Sequence, residues 1–385
     1  MHMMTGTNSN IEDIEKYFHS EVCYTPAKAP RSYPEAVVDN SKDTLEVCYF
    51  KHVPKVSFPA GGTVVNLVFA HGTGLNSGVW DYYLVPLLKA AQQSNGVWSL
   101  GTVLFVDQVN HGDSAVRNAG KLGMNCDWGD GSHDICLVAL KELPLPGKDI
   151  INIAVGHSMG GCQVMYTTII YPGLFSMIIG LEPVVWTHTE DHTNYLTAIP
   201  HRVYDSVLAK NKDYFANEED FMKFRSTSLY VKSHPDIEKR FWDYERISNP
   251  DGSISMKCSV PQLLASYVGN RPAADMLMKC LRFVRTPMVS IFGGASHWCH
   301  QESKDFLRDN VPNYIVDSVP GGTHLFCMEI PDAVNEFLVK YIVKAAQEPR
   351  DNLAPVSDRD AKFQELYRDL AIHRIGNGRG SLFKL

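Results

Sequence analysis

The strongest chemical signal in the chain is Gly156-His157-Ser158-Met159-Gly160-Gly161. It satisfies G-x-S-x-G, follows the apolar run Ile151–Val155 directly, and is followed by a helical pattern through Val164, Thr168 and Ile169. Between a strand and a helix, this motif puts the serine on a sharp, strained turn with its hydroxyl projecting, and Gly156 and Gly160 leave room for that turn. Ser158 is therefore read as a nucleophile, with the positive end of the following helix aimed at developing negative charge. His157 is read as structural, its side chain directed away from the nucleophile.

A nucleophilic serine needs a base, an orienting acid and donors for an oxyanion. The apolar run Tyr314–Val319 leads into Pro320-Gly321-Gly322-Thr323-His324-Leu325, and His324 on that glycine-rich loop is the expected base. His71-Gly72-Thr73-Gly74 follows the run Val64–Ala70. Its place suits a backbone donor, so the oxyanion hole is assigned to the N–H groups of Thr73 and Met159, with His71 bracing the loop. The acid usually follows the run Met288–Phe292, but the turn there, Gly293-Gly294-Ala295-Ser296-His297-Trp298, has no carboxylate. One strand earlier stands Leu181-Glu182-Pro183-Val184, and Glu182 is the expected acid, with Glu302 second. Asp107, ahead of Asn110-His111-Gly112-Asp113-Ser114, is read as a brace for a pocket-side loop.

The elements that must position these residues are short apolar runs: Val64–Ala70, Val103–Asp107, Ile151–Val155, Met177–Leu181, Met288–Phe292 and Tyr314–Val319. Such runs, alternating with helical patterns such as Leu84–Ala91, predict a doubly wound, mostly parallel α/β sheet over residues 45–183 and 286–348. Between 184 and 285 the alternation breaks into an aromatic and charged stretch that includes Tyr195, Phe224, Phe241 and Trp242, with a helical segment Ile237–Ile247 and a turn at Pro250–Gly252. It is read as an inserted, mostly helical lid. Residues 1–44 are expected to be a polar extension, and 349–385 a tail with a short helix over Ala361–Ile372.

The 385 residues carry 36 Lys and Arg against 43 Asp and Glu, a net charge of −7 that disfavours a general nucleic-acid binder. Nine scattered cysteines, an odd number, read as free thiols. His297-Trp298-Cys299-His300 packs three candidate metal ligands onto one short loop, too tightly to close a tetrahedral site without distant partners, and is read as a loop packed by Trp298. No apolar signal core opens the sequence and no run reaches the ~20 residues of a membrane helix. The expectation is a soluble protein made in the cytosol.

Taken together, these residues are similar to the α/β-hydrolase superfamily over roughly residues 45–345. The stretch Val106–Asn118, with Gly156–Gly161 and Leu181-Glu182-Pro183-Val184, resembles the fungal peroxisomal α/β-hydrolases, lipases among them. The resemblance implies lipase or esterase activity on acyl substrates and a peroxisomal address. A related fungal group serves the synthesis of polyketide or fatty-acid-derived toxins. The chain ends Phe383-Lys384-Leu385, which matches an S-K-L-type import signal at Lys384 and Leu385 but has a large residue at Phe383. A peroxisomal import receptor is thus an expected partner.

The expected reaction is transfer of an apolar acyl group to water through an acyl-enzyme, with no metal or organic cofactor required. The same residues serve the hydrolysis of acyl-CoA thioesters. Epoxide hydrolysis, known on this fold, uses a carboxylate nucleophile; a serine would form an ether that water does not readily cleave. An inactive hydrolase fold used as a binding module is the non-enzymatic alternative.

Overall fold

The computed structural model describes residues 14–58, 61–185, 205–269 and 271–348, together with Glu365 and Arg368. Eleven strands are assigned in chain order: β1 (Phe18–Pro26), β2 (Glu46–Pro54), β3 (Thr63–Ala70), β4 (Trp98–Val106), β5 (Ile150–His157), β6 (Met177–Leu181), β7 (Tyr214–Phe215), β8 (Arg246–Ser248), β9 (Ile254–Met256), β10 (Met288–Gly293) and β11 (Tyr314–Val319). Eight form one sheet in the order β1-β2-β4-β3-β5-β6-β10-β11. From β4 to β11 every pairing is parallel, whereas β2 runs antiparallel to β1 and β4.

Parallel strands linked by helices must be covered on both faces, and strand periodicity divides their side chains between two cores. Val65, Leu67 and Phe69 of β3, Ile151, Ile153 and Val155 of β5, and Ile179 of β6 face the helices Asp81–Gln92 and Pro331–Gln347. Their neighbours Val68, Ala154 and Ile178 face Trp128–Glu142, Met159–Ile170 and Arg271–Cys280 on the other side. The continuous apolar runs thus reflect burial from two directions, and they end together at the carboxyl edge of the sheet.

The expected extension over 1–44 needs correction. Phe18–Pro26 is a full edge strand with a nine-residue antiparallel register against β2, and Phe18 is buried. Its outer face stays exposed at Val22 and Tyr24, so it lacks the continuous apolar run of an inner strand. Behind it, Arg31 and Lys28 pair with the buried carboxylates Asp130 and Asp134 and tie the following loop to a core helix.

The described part of the insertion, from Asp205, holds the helices Glu218–Thr227, Pro235–Glu245, Val260–Val268 and Arg271–Cys280. It also holds a small antiparallel sheet, β7-β9-β8, absent from the helical expectation. The Pro-Asp-Gly turn joins β8 to β9, with Gly252 at φ +85°. Residues 186–204, with Tyr195, lie outside the described residues, as do Met1–Asn10.

All nine cysteines are free thiols. Among the described residues no helix is long and apolar enough to cross a membrane. Residues Glu348–Leu385 form a separate unit. Of its expected helix, Glu365 and Arg368 are helical and exposed; the remainder and Phe383-Lys384-Leu385 lie outside the described residues.

Candidate active site

Ser158 caps the helix Met159–Ile170 with φ +54° and ψ −112°, a conformation costly for any residue with a Cβ. The turn holds because its flanks fit only glycine. A Cβ on Gly156 would lie 2.2 Å from the Gly160 carbonyl oxygen, and one on Gly160 would lie 2.3 Å from that of Ala70. The Ser158 N–H donates to Leu181 O at 3.0 Å, and the Val184 N–H donates back to Ser158 O at 3.2 Å. The elbow is therefore stitched to the end of β6.

That stitching brings Glu182 close. β5 and β6 pair with His157 opposite Leu181, so Ser158 and Glu182 are the residues that next leave their strands. Glu182 also has positive φ, +49°, and is fully buried. Burial works against its charge, but donors outweigh it: His324, Ser296 Oγ at 2.7 Å and the Gly293 N–H at 2.7 Å hold the carboxyl below the ordinary glutamate value.

His324 enters on the loop after β11 and meets both. Its Nδ1 is 3.1 Å from Glu182 Oε2, and its Nε2 is 3.0 Å from Ser158 Oγ. An ionised Glu182 accepts the Nδ1 proton, which leaves Nε2 free to accept from the serine hydroxyl. The second-choice acid, Glu302, is exposed at the start of the helix Gln301–Asn310, and Asp305 pairs with Arg308.

Two aromatic rings flank His324. Trp298, half exposed, stacks on the His324 ring at 4.7 Å and 20°. Neighbouring Cys299 is buried, with its thiol 3.4 Å from Pro183 O. His157, buried, lies 2.8 Å through Nε2 from the His324 carbonyl oxygen. Burial, then the proximity of His324, lowers the His157 pKa to about 3, so it stays neutral and donates that bond. The sequence reading left His157 without this task and gave Ser296 and Trp298 none in the site. The missing carboxylate in the turn after β10 was the available clue: a turn with a hydroxyl and a free N–H there can serve a carboxylate from the adjacent strand.

The loop after β3 lies against Ser158. A Cβ on Gly72 would sit 3.1 Å from Ser158 Cβ and 2.6 Å from His157 Nδ1. Thr73 Oγ1 donates to Met159 Sδ at 3.4 Å. Two buried imidazoles hold this loop in place. His71 accepts from the Gln108 N–H at 3.1 Å and donates through Nδ1 to Gly72 O at 2.9 Å; His111 accepts from the Gly74 N–H at 3.0 Å. Burial lowers both pKa values, which keeps the rings neutral and able to accept. Asp107 is also buried: it accepts from the Ser77 and Asp113 N–H groups and from Tyr244 Oη, and so braces loops.

Residues 67–337 match the family model described as the alpha/beta hydrolase family. The chain is 35% identical over 340 residues to the peroxisomal membrane protein LPX1 of Saccharomyces cerevisiae, covering 84% of this chain and 87% of that protein. The crystal structure of the yeast peroxisomal alpha-beta-hydrolase Lpx1 superimposes with a TM-score of 0.80 at 32% identity, covering 93% of this chain and 99% of that one. A type I acyl-CoA thioesterase, mpaH′ of Penicillium brevicompactum, is 26% identical over 163 residues, 42% of this chain and 35% of its own length. The motif, the sheet order and these likenesses agree: the chain belongs to the α/β-hydrolase family.

Proposed function

We propose that the protein is a serine hydrolase that cleaves carboxylic esters of apolar acyl chains. The observation that carries this is the unbroken chain Ser158 Oγ–His324 Nε2, His324 Nδ1–Glu182 Oε2, at 3.0 and 3.1 Å. Ser158 Oγ attacks the carbonyl carbon as its proton passes to His324 Nε2. The Thr73 and Met159 N–H groups take the oxyanion; neither has a backbone partner among the described residues. His324 then protonates the leaving alcohol. It next deprotonates a water that attacks the acyl-enzyme, releasing the acid and restoring Ser158. Glu182 stays ionised, holds the imidazole tautomer and stabilises the imidazolium.

The insertion serves as a lid over the strand ends in this reading. Its cavity of about 790 Å³ has an aromatic wall suited to an acyl chain. Thioester hydrolysis is the second reading, favoured by the likeness to an acyl-CoA thioesterase. A peroxisomal location is supported by the likeness to the yeast peroxisomal protein, with Phe383-Lys384-Leu385 as the segment for an import receptor.

The test is turnover of p-nitrophenyl esters of graded chain length and of matching acyl-CoA substrates. Turnover by the wild type and none by Ser158→Ala is expected. Retained turnover in a folded Ser158→Ala would sink the mechanism. Failure of the wild type to react with a fluorophosphonate probe would favour the binding module.

A further inference from the structure

The cavity of the insertion holds a group that the proposed mechanism does not use. Phe215, Phe224, Phe241, Trp242 and Leu263 line it, and among them stands the carboxyl of Glu245. Glu245 is only 4% exposed. Its Oε2 accepts from Asn76 Nδ2 at 2.8 Å and its Oε1 from the Cys258 N–H at 2.8 Å. A carboxyl offers about four lone-pair sites, so those two bonds leave capacity on the cavity side. Burial pushes its pKa up to about 7, so both protonation states are accessible near neutrality.

One wall of the cavity lies on the loop that adjoins Ser158. Gly74 lines it, and Tyr230, another wall residue, donates to Gly74 O at 2.9 Å. Gly72 adjoins Ser158. Two chain steps, across Thr73, therefore separate Gly72 from the cavity wall at Gly74, at most ~8 Å at 3.8 Å per step. A chain bound through its ester carbonyl at Ser158 is taken to run along this loop into the cavity.

Resting on the ester-hydrolase reading, we infer that the acyl group carries a hydroxyl along its chain, bound by Glu245. A hydroxyl donates to the carboxylate and accepts from the neutral acid, so it is held in either state. An ammonium group requires the charged form and would meet Lys210, Lys212 and Lys223, which, among the described lining residues, share the cavity with the acids Asp220 and Glu245. In an apolar cavity without a partner, a hydroxyl would weaken binding, so the sign of its effect is diagnostic.

Calorimetric binding to the full-length Ser158→Ala protein tests this without relying on hydrolysis. Dodecanoic acid is compared with hydroxydodecanoic acids substituted along the chain and with an aminododecanoic acid. One hydroxy acid is expected to bind about tenfold more tightly than the plain acid, the gain of one hydrogen bond to a charged group. Adding Glu245→Gln should cut the ratio of hydroxy-acid to plain-acid affinity to about twofold or less. Should that variant not fold, Glu245→Asp keeps the carboxyl but withdraws it, and the preferred position should move along the chain. The inference is overturned if no acid binds, if no hydroxyl position is favoured, if the preference survives Glu245→Gln, or if the amino acid binds best. Loss of ester turnover by the wild type would count against the hydrolase reading alone.

Discussion

The strand ends and the insertion between β6 and β10 share apolar burial but differ in how much polar contact holds them. β5 and β6 are buried on both faces, and Ile153, Val155, Ile179 and Leu181 are wholly inaccessible. In the insertion, Phe221, Phe241 and Trp242 meet edge to face, and they belong to the same apolar cluster as Leu67, Phe69 and Trp80. Much of its tie to the rest is polar. Tyr230 bonds to Gly74, Tyr244 to Asp107 and Asp113, Asn76 to Glu245, and Asn110 to Ser266. Arg240 pairs with Asp81 and Lys257 with Asp113. Polar contacts are largely replaced by water when an element leaves, so the insertion, with the larger polar share, should part from the sheet and its covering helices (the shelf beneath it) at lower cost than that shelf itself breaks.

Four changes sharpen or break this contrast. The largest effect is expected at Glu182→Gln, which keeps the shape but loses the charge facing His324. Turnover should fall about 10⁴-fold with the thermal midpoint little changed. A fall of less than about tenfold would move the acid elsewhere and cancel the special standing of the β6 end. Next, Ile153→Ala should cost about 2–5 kcal/mol in urea unfolding, read as a shift of the whole transition.

Acid comes third. Burial, then the nearby Arg240, lowers His52 to about 4 from an unfolded value near 6.5. The unfolded chain therefore binds more protons in that window, and stability is lost as pH falls from 6.5 toward 4. His52 packs against Phe18 and Phe105, so His52→Phe should flatten the fall in melting temperature between pH 7 and pH 5. An unchanged slope would mean that this histidine is already protonated in the fold. The smallest effect belongs to Tyr244→Phe, which removes a hydrogen bond to a charged group worth about 1.5 kcal/mol. Its signature should be faster proteolysis within 205–285 at an almost unmoved urea midpoint. A full global shift instead would show that insertion and shelf unfold as one.

What could be read from the sequence follows the same divide. Inner strands declare themselves because burial on two faces forces unbroken apolar runs, and the elbow because its backbone excludes side chains beside Ser158. Glu182 was reached by elimination, from a carboxylate missing after β10. β1 escaped notice because half its side chains face solvent and its register exists only against β2. The small β7-β9-β8 sheet pairs strands of two and three residues, too short to leave a period. The roles of Ser296, Trp298 and His157 are long-range: each touches a group more than a hundred residues away or across a loop, and no local pattern encodes that.

The pairing of β5 with β6 has a practical corollary. Ser158 and Glu182 leave neighbouring strands side by side, while His324 arrives from beyond the insertion. A cut made in the insertion would leave the serine and its carboxylate on one fragment and the imidazole on the other. Neither half alone would carry the full relay, so recovered turnover on mixing would report the two halves finding each other. The fold thus contains the layout of a split reporter, with its seam in the least costly place to open.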